Sequence, residues 1–219
     1  MKKVLSRSLL LAAATVLATG CAVPAKQTDY SAFRESKPRS ILVLPPLNES
    51  PDAKATYSML SQATRPLAES GYYVLPVTLV DETFRQNGMT VPGEIHAVAP
   101  EKLREIFGAD TALYITVTEY GTKYVVVSST TLVRAKAKLV DLRTGKTLWT
   151  GEASATSDGA NTSGGGLVGM LVSAAINQVV NTLAETGHNV AGMASNRLLS
   201  AGQPGGLPYG PRSPKYGSD

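Results

Sequence analysis

Thr131-Leu132-Val133-Arg134-Ala135-Lys136-Ala137-Lys138-Leu139-Val140-Asp141 repeats with a period of two. Val133, Ala135, Ala137 and Leu139 point one way; Arg134, Lys136 and Lys138 point the other. That is a half-buried strand with a solvated, charged face. Leu142-Arg143-Thr144-Gly145-Lys146 then makes a tight turn in which Gly145 is free to take positive φ. Residues 147–155 return as the partner strand and carry Trp149, the only tryptophan. Residues 124–128 read as a further strand upstream, so this part of the chain is antiparallel β structure.

The sequence before it has a different rhythm. Ile41-Leu42-Val43-Leu44 is a continuous apolar run of the kind found in a strand covered on both faces. Pro45 and Pro46 cannot donate to a ladder and end it. A helix over residues 53–70 follows, with Tyr57, Leu60, Thr64 and Leu67 at helical spacing; Pro66 should kink or restart it. Residues 72–77 are a second strand, 78–86 a second helix, and 100–107 a third helix opened by Pro100. Residues 112–118 are a third strand, rich in β-branched and aromatic side chains. The order β-α-β-α-α-β implies parallel pairing, and the later hairpin implies antiparallel pairing. A mixed sheet between helix layers, an αβα sandwich of class α/β, satisfies both.

After the hairpin, residues 157–166 are rich in Gly, Asn and Ser and read as a flexible loop. A helix over residues 167–186 follows, with Val168, Val172, Ile176, Val179 and Leu183 on one face. Gly187 is expected to break it, and residues 190–199 form a last helix. Residues 201–219 are Gly/Pro-rich and are expected to be disordered.

The N-terminus carries an address. Lys2, Lys3 and Arg7 precede a charge-free run of roughly ten residues, too short for the ~20 that span a bilayer. The run ends in Leu17-Ala18-Thr19-Gly20-Cys21, which contains the only cysteine. This resembles a lipobox, with Ala18 where leucine is usual. Residues 1–20 are then a signal peptide. The mature chain starts at an acylated Cys21, residues 21–39 tether the domain, and residues 40–200 form it. Two or three acyl chains anchor stably where one does not. Ala22 after the cysteine favours the outer membrane, facing the periplasm. The alternative is an ordinary signal peptide with a chance cysteine.

Composition narrows the function classes. The formal charge is +4, from 21 basic and 17 acidic residues. The signal peptide holds three of the basic ones, which leaves 18 against 17 and a net of +1. There is no basic stripe with interleaved aromatics, so nucleic-acid binding is not expected. His96 and His188 are the only histidines and lie far apart, with no metal-ligand spacing, so neither metal nor cofactor is expected. His96 falls in a Pro/Gly-interrupted segment and reads as a surface residue. Gly164-Gly165-Gly166-Leu167-Val168-Gly169 fits a dinucleotide fingerprint in letters, but no strand leads directly into it and none follows the helix. A glycine-rich hinge fits better. No G-x-S-x-G elbow or isolated carboxylate pair suggests an enzyme.

Two surfaces remain as candidates. Arg134, Lys136 and Lys138 either meet an acidic partner, lipopolysaccharide or glycan, or protect an edge strand from aggregation. Gly164, Gly165 and Gly166 with Met170 and Leu171 either form a self- or partner interface, a homodimer included, or pack on the preceding hairpin.

Cys21, the stretch KPRSILVLPPLNES and the hairpin VDLRTGKTLWTGEA together resemble a family of small bacterial lipoproteins typified by a meningococcal antigen. The resemblance runs over about residues 21–200. Its most specific parts are Leu44-Pro45-Pro46-Leu47-Asn48-Glu49-Ser50 and Leu139-Val140-Asp141. It implies a domain like the N-terminal domain of TolB, with CsgG and LpoB as relatives in shape. It also implies a CsgG-like lipoprotein partner in an outer-membrane complex. The family brings no catalytic residues with it. The leading expectation is a non-enzymatic, lipid-anchored binding or assembly module; an LpoB-like activator of a cell-wall synthase is second.

Overall fold

The computed structural model of the chain describes residues 28–125, 128–157 and 183–218. Cys21, residues 1–20 read as a signal peptide, most of the loop read at 157–166, most of the helix read at 167–186 and the candidate interface residues Gly164, Gly165, Gly166, Met170 and Leu171 lie outside them. Six helices are described: α1 (Ser31–Ser36), α2 (Ala55–Glu69), α3 (Val77–Gln86), α4 (Pro92–His96), α5 (Pro100–Phe107) and α6 (Leu183–Leu199). The strands are β1 (Ser40–Val43), β2 (Leu47–Asn48), β3 (Tyr73–Val74), β4 (Thr111–Val125), β5 (Ser128–Asp141) and β6 (Thr147–Thr156).

The strands form one mixed sheet in the order β3-β1-β4-β5-β6, with β2 also on β4. β1 runs parallel to β3 and β4, whereas β4, β5 and β6 are successively antiparallel. The change of pairing falls at β4, as the switch from crossover helices to a tight turn requires.

Alternation along the buried strands fills both faces. Ile41, Val43, Leu113, Ile115, Val133, Ala135 and Leu139 share one core with Met59, Leu60, Ala63 and Leu67 of α2 and Val190, Ala191, Ala194 and Leu198 of α6. Leu42, Leu44, Ala112 and Tyr114 share the other with Val80 and Phe84 of α3, Ile95 of α4 and Leu103 of α5. Each fully buried large aliphatic contributes roughly 1.5–3 kcal/mol. Helices thus lie on both sides of the sheet, as the strand order implied.

Several elements differ from expectation for identifiable reasons. Pro45 and Pro46 end β1 at Val43 as expected, but the stretch after them, read as a loop, returns to the sheet as β2. Leu44 N–H donates to Leu113 O and Glu49 N–H to Val117 O, while Leu47 and Asn48 resume pairing opposite Thr116 and Val117. β3 is only two residues long, because Pro76 lacks a donor and α3 starts directly after it. α2 continues through Pro66 to Glu69. The strand read at 112–118 and the start of the one read at 124–128, Tyr124 and Val125, are parts of one long β4, which absorbs an extra residue in a bulge between Val117 and Glu119, while Ser128 opens β5. Gly187 does not break α6 but lies inside it, buried.

The chain's ends need the largest correction. Residues 28–39, read as tether, contain α1, whose Phe33 is buried in the core. Residues 201–218, read as disordered, lie on the domain. Leu207 is 1% exposed, the Tyr72 hydroxyl donates to Pro208 O, and the Tyr30 hydroxyl donates to Gly206 O at 2.6 Å. Gly210 N–H donates to Ser70 O and Arg212 N–H to Gly71 O. Glycine makes this possible: a Cβ on Gly210 would stand 2.6 Å from the Gly71 carbonyl carbon. The tail is held by backbone contact and one apolar anchor, which composition does not reveal.

Candidate functional site

Helices α3, α4 and α5 cover only part of their sheet face. Beyond Tyr114 the face continues across β5 and β6 with no helix over it among the described residues. Register builds two rungs there: Tyr114 opposite Lys138 opposite Thr150, and Thr116 opposite Lys136 opposite Glu152. Lys136, Lys138, Thr150 and Glu152 are exposed. With Leu47 and His96 as walls they line a groove of about 740 Å³. That lies within the ~300–1,000 Å³ typical of ligand clefts.

His96 is half-buried, not a surface residue. Its Nε2–H donates to Pro45 O at 2.9 Å, and its ring meets Tyr114 edge-on with centroids 5.2 Å apart. The sequence motif explains the contact. The two prolines pull the Pro45 carbonyl out of the ladder, and a buried carbonyl needs a donor. Burial pushes the His96 pKa down, Lys138 pushes it further, and the hydrogen bond to Pro45 O opposes both. The net shift is downward, which favours the neutral ring at neutral pH. Burial likewise pushes the Tyr114 phenol up, so it stays protonated. The Lys138 ammonium sits 4.8 Å from the Tyr114 ring centroid, a cation–π contact.

The three expected cations are not equivalent. Arg134 lies one rung further on and pairs with Glu119 at 3.0 Å. Lys136 and Lys138 point into the groove, where Glu152 is the acid on the facing strand. The edge-protection reading does not survive, because β5 is an inner strand with β4 and β6 on either side. Lys136 and Lys138 instead stand on a sheet face that no described helix covers. Sequence reasoning missed His96 and Tyr114 as its walls. The signal available was the Pro-Pro pair, which leaves a carbonyl in want of a partner.

A second polar cluster lies between α2, α6 and β4. The Tyr120 hydroxyl donates to Ser58 Oγ at 3.0 Å, and Ser58 Oγ lies 3.1 Å from His188 Nδ1. Gln62 Nε2 lies 2.7 Å from His188 Nε2. With that amide as donor, the imidazole carries its proton on Nδ1 and gives it to Ser58. A serine beside a histidine resembles a nucleophile–base pair, but here the proton runs toward the serine. The Ser58 backbone N–H is bound to Lys54 O, and the histidine's other nitrogen meets an amide, not a carboxylate. The cluster fastens helices.

At the turn, buried Asp141 accepts from Ser36 Oγ and from the Arg143 and Thr144 N–H groups at 2.7 and 3.0 Å. Burial pushes its pKa up, but these hydrogen bonds outweigh that and hold it below the usual range. The most specific part of the hairpin motif is therefore a joint between turn and α1. Among the described residues no group of acids and histidines could hold a metal ion, and no helix is long and apolar enough to cross a membrane.

Comparison with known proteins agrees with the sequence resemblance. Residues 28–212 match the family model described as "Putative lipoprotein GNA1162-like". The chain is 53% identical over 208 residues to a lipoprotein described as NMB1124/NMB1162 from Neisseria meningitidis serogroup B (strain ATCC BAA-335 / MC58). That alignment covers 94% of this chain and 96% of the relative. The crystal structure of lipoprotein GNA1162 from Neisseria meningitidis superposes with a TM-score of 0.53 at 60% identity, covering 66% of this chain and all of that one. The C-terminal domain of LpoB from Salmonella enterica superposes more loosely, with a TM-score of 0.40 at 16% identity over 54% of this chain and 82% of that one. By the family match and the close relative, this chain belongs to the GNA1162-like lipoprotein family.

Proposed function

We propose that this chain is a lipid-anchored, periplasm-facing binding module of an outer-membrane complex. It takes an acidic segment of an envelope lipoprotein partner, CsgG-like by resemblance, into the groove over β4, β5 and β6. It performs no catalysis of its own. The observation that carries this reading is the pair Lys136 and Lys138, exposed on an uncovered sheet face beside Tyr114 and His96. Cations on a solvated face do little for stability; on a concave face they set which partners approach. The acylated Cys21 keeps the module at the membrane.

The cell-wall synthase reading is weaker. Thr28 already lies against the tail near Gly205, and the chain from Cys21 to Thr28 spans at most about 25 Å. A domain held that close to the outer membrane does not reach across the periplasm. The test is crosslinking in intact envelopes followed by capture of wild type and of K136E/K138E. The proposal expects a crosslinked envelope lipoprotein that the double reversal loses while its thermal stability is unchanged. Equal capture of the same partner by both chains rejects the groove. An uncleaved, unacylated precursor in the wild-type strain rejects the anchor.

A further inference from the structure

The C-terminal tail and α1 together form a lobe at one end of the sheet, beside Asp110 and Asp141. The described chain enters at this lobe: a Cβ on Gly205 would stand 3.1 Å from Thr28 Oγ1. Tyr30, Phe33, Pro208, Tyr209 and Tyr216 line an apolar cleft of about 240 Å³ here, with Arg34 and Lys37 at its rim. Tyr216 is 49% exposed, and so is neighbouring Tyr73 at 47%. Arg212 lies over the Tyr73 ring at 5.3 Å and Lys215 over the Tyr209 ring at 5.5 Å. The lobe thus presents tyrosines interleaved with cations. Arg34, Lys37, Arg39, Arg212 and Lys215 are exposed, and the acids among the described residues of the same segments are Asp29 and Glu35. Glu35 is taken up by Lys146 at 3.7 Å.

Resting on the reading that Cys21 is acylated, we infer that this lobe is the face the domain lays on the membrane, with Lys37, Arg212 and Lys215 on anionic phospholipid headgroups and Tyr209 and Tyr216 at their level. Two physical arguments meet. The anchor emerges at this lobe and lies within about 25 Å of it, so no other face of the domain is held so near the bilayer. Tyrosine suits a boundary that is apolar on one side and wet on the other. Each cation near an anionic surface adds to the attraction. The acyl chains supply attachment, and the lobe sets orientation. The groove over β4–β6 is lined by none of the residues that line the cleft of the lobe, so the lobe and the groove can be occupied together.

The experiment uses the mature chain from residue 21 with Cys21→Ser, so that no acyl chain contributes. It is floated with phosphatidylcholine vesicles and with vesicles holding about 30% phosphatidylglycerol. The expected result is association about tenfold or more stronger with the anionic vesicles, lost in about 0.5 M salt. It should also be lost in K37E/R212E/K215E. The second readout is positional. This chain contains no other thiol, so Y216C takes a polarity-sensitive dye, and E49C, beside Val117 towards the other end of the sheet, is the control. The dye on residue 216 should shift to the blue on anionic vesicles and the dye on residue 49 should not. Equal binding to both vesicles, or to neither, overturns the inference. So does a dye shift at both positions, or capture on immobilised polyglutamate without vesicle binding. Acylation of Cys21 is read separately from the intact mass of the wild-type protein, so the anchor and the lobe fail independently.

Discussion

Gly187 of α6 faces the Tyr120 side chain of β4 so closely that a Cβ on residue 187 would stand 2.9 Å from the Tyr120 hydroxyl. Two ring atoms would lie 3.1 and 3.2 Å away. Tyr120 is 7% exposed and tied to Ser58, so it has little room to retreat. This glycine is in the helix because the helix and the sheet meet there.

The same substitution at two glycines of α6 should therefore have opposite signs. Alanine in a helix interior ordinarily gains ~1 kcal/mol over glycine. Overpacking against a fixed neighbour costs about 1–3 kcal/mol. Gly187→Ala should lower the melting temperature. At Gly192 the added Cβ would meet the end of Gln62, at 3.2 and 3.3 Å, a flexible side chain that can yield at the expense of its contact with His188. Gly192→Ala should leave stability unchanged or raise it. Thermal melts of both variants check this, and a stabilised Gly187→Ala would mean that Tyr120 yields.

Leu207 should behave as a core residue although it lies in a Gly/Pro-rich tail. It is buried in the same cluster as Trp149 and Tyr72. The polar tips of those two aromatics reach the tail's carbonyls, Trp149 Nε1–H to Gly205 O at 3.1 Å and the Tyr72 hydroxyl to Pro208 O. Leu207→Ala should cost on the order of 2–5 kcal/mol, measured by denaturant unfolding. Near-neutral stability would show the tail to be dispensable.

These two cases show what sequence carries and what it does not. Period-two alternation in residues 131–141 gave the β5 register face by face, and Ile41 to Leu44 read correctly as buried on both sides, because burial leaves a local trace at every second residue. Gly187 and the tail leave no such trace. A helix glycine that stops the chain and one that admits a tyrosine look alike until the partner strand is placed. The tail has one large buried aliphatic among its last residues, and its remaining hold is backbone. The groove was half legible: the cations of β5 show in the alternation. Its walls, His96 and Tyr114, meet only across the fold, 18 positions apart in sequence.

The state of His96 sets a pH dependence. Burial, helped by Lys138, holds its folded pKa below the ordinary value of about 6.5. Below that pH the unfolded chain takes a proton that the folded chain resists, so stability should fall as pH drops through 6.5 toward the lowered folded value. His96→Gln keeps an N–H for Pro45 O and removes the titration. Melting temperatures at about pH 7.5 and 5.5 should differ less in the variant than in the wild type. An equal drop in both would assign the acid sensitivity to other groups.

Ser58 and Tyr120 decide whether the second polar cluster is a fastening or a site. Ser58→Ala removes the acceptor of a buried phenol and should cost about 1–3 kcal/mol, the penalty of an orphaned donor. Tyr120→Phe removes the donor and leaves a serine that still meets His188. The double variant has no orphaned phenol, so its cost should be less than the sum of the two single costs, by an interaction on the order of 1 kcal/mol. Partner capture should be intact in every variant that remains folded at the assay temperature. If Ser58 instead served as a nucleophile with His188 as its base, Ser58→Ala and His188→Ala would abolish function with the unfolding curves unmoved. The double cycle would then show no coupling to Tyr120. The surroundings of Ser58 argue for the first outcome: the Tyr120 hydroxyl donates to its Oγ, and with the Gln62 amide donating to His188 Nε2 the imidazole has a proton, not a lone pair, to offer the serine.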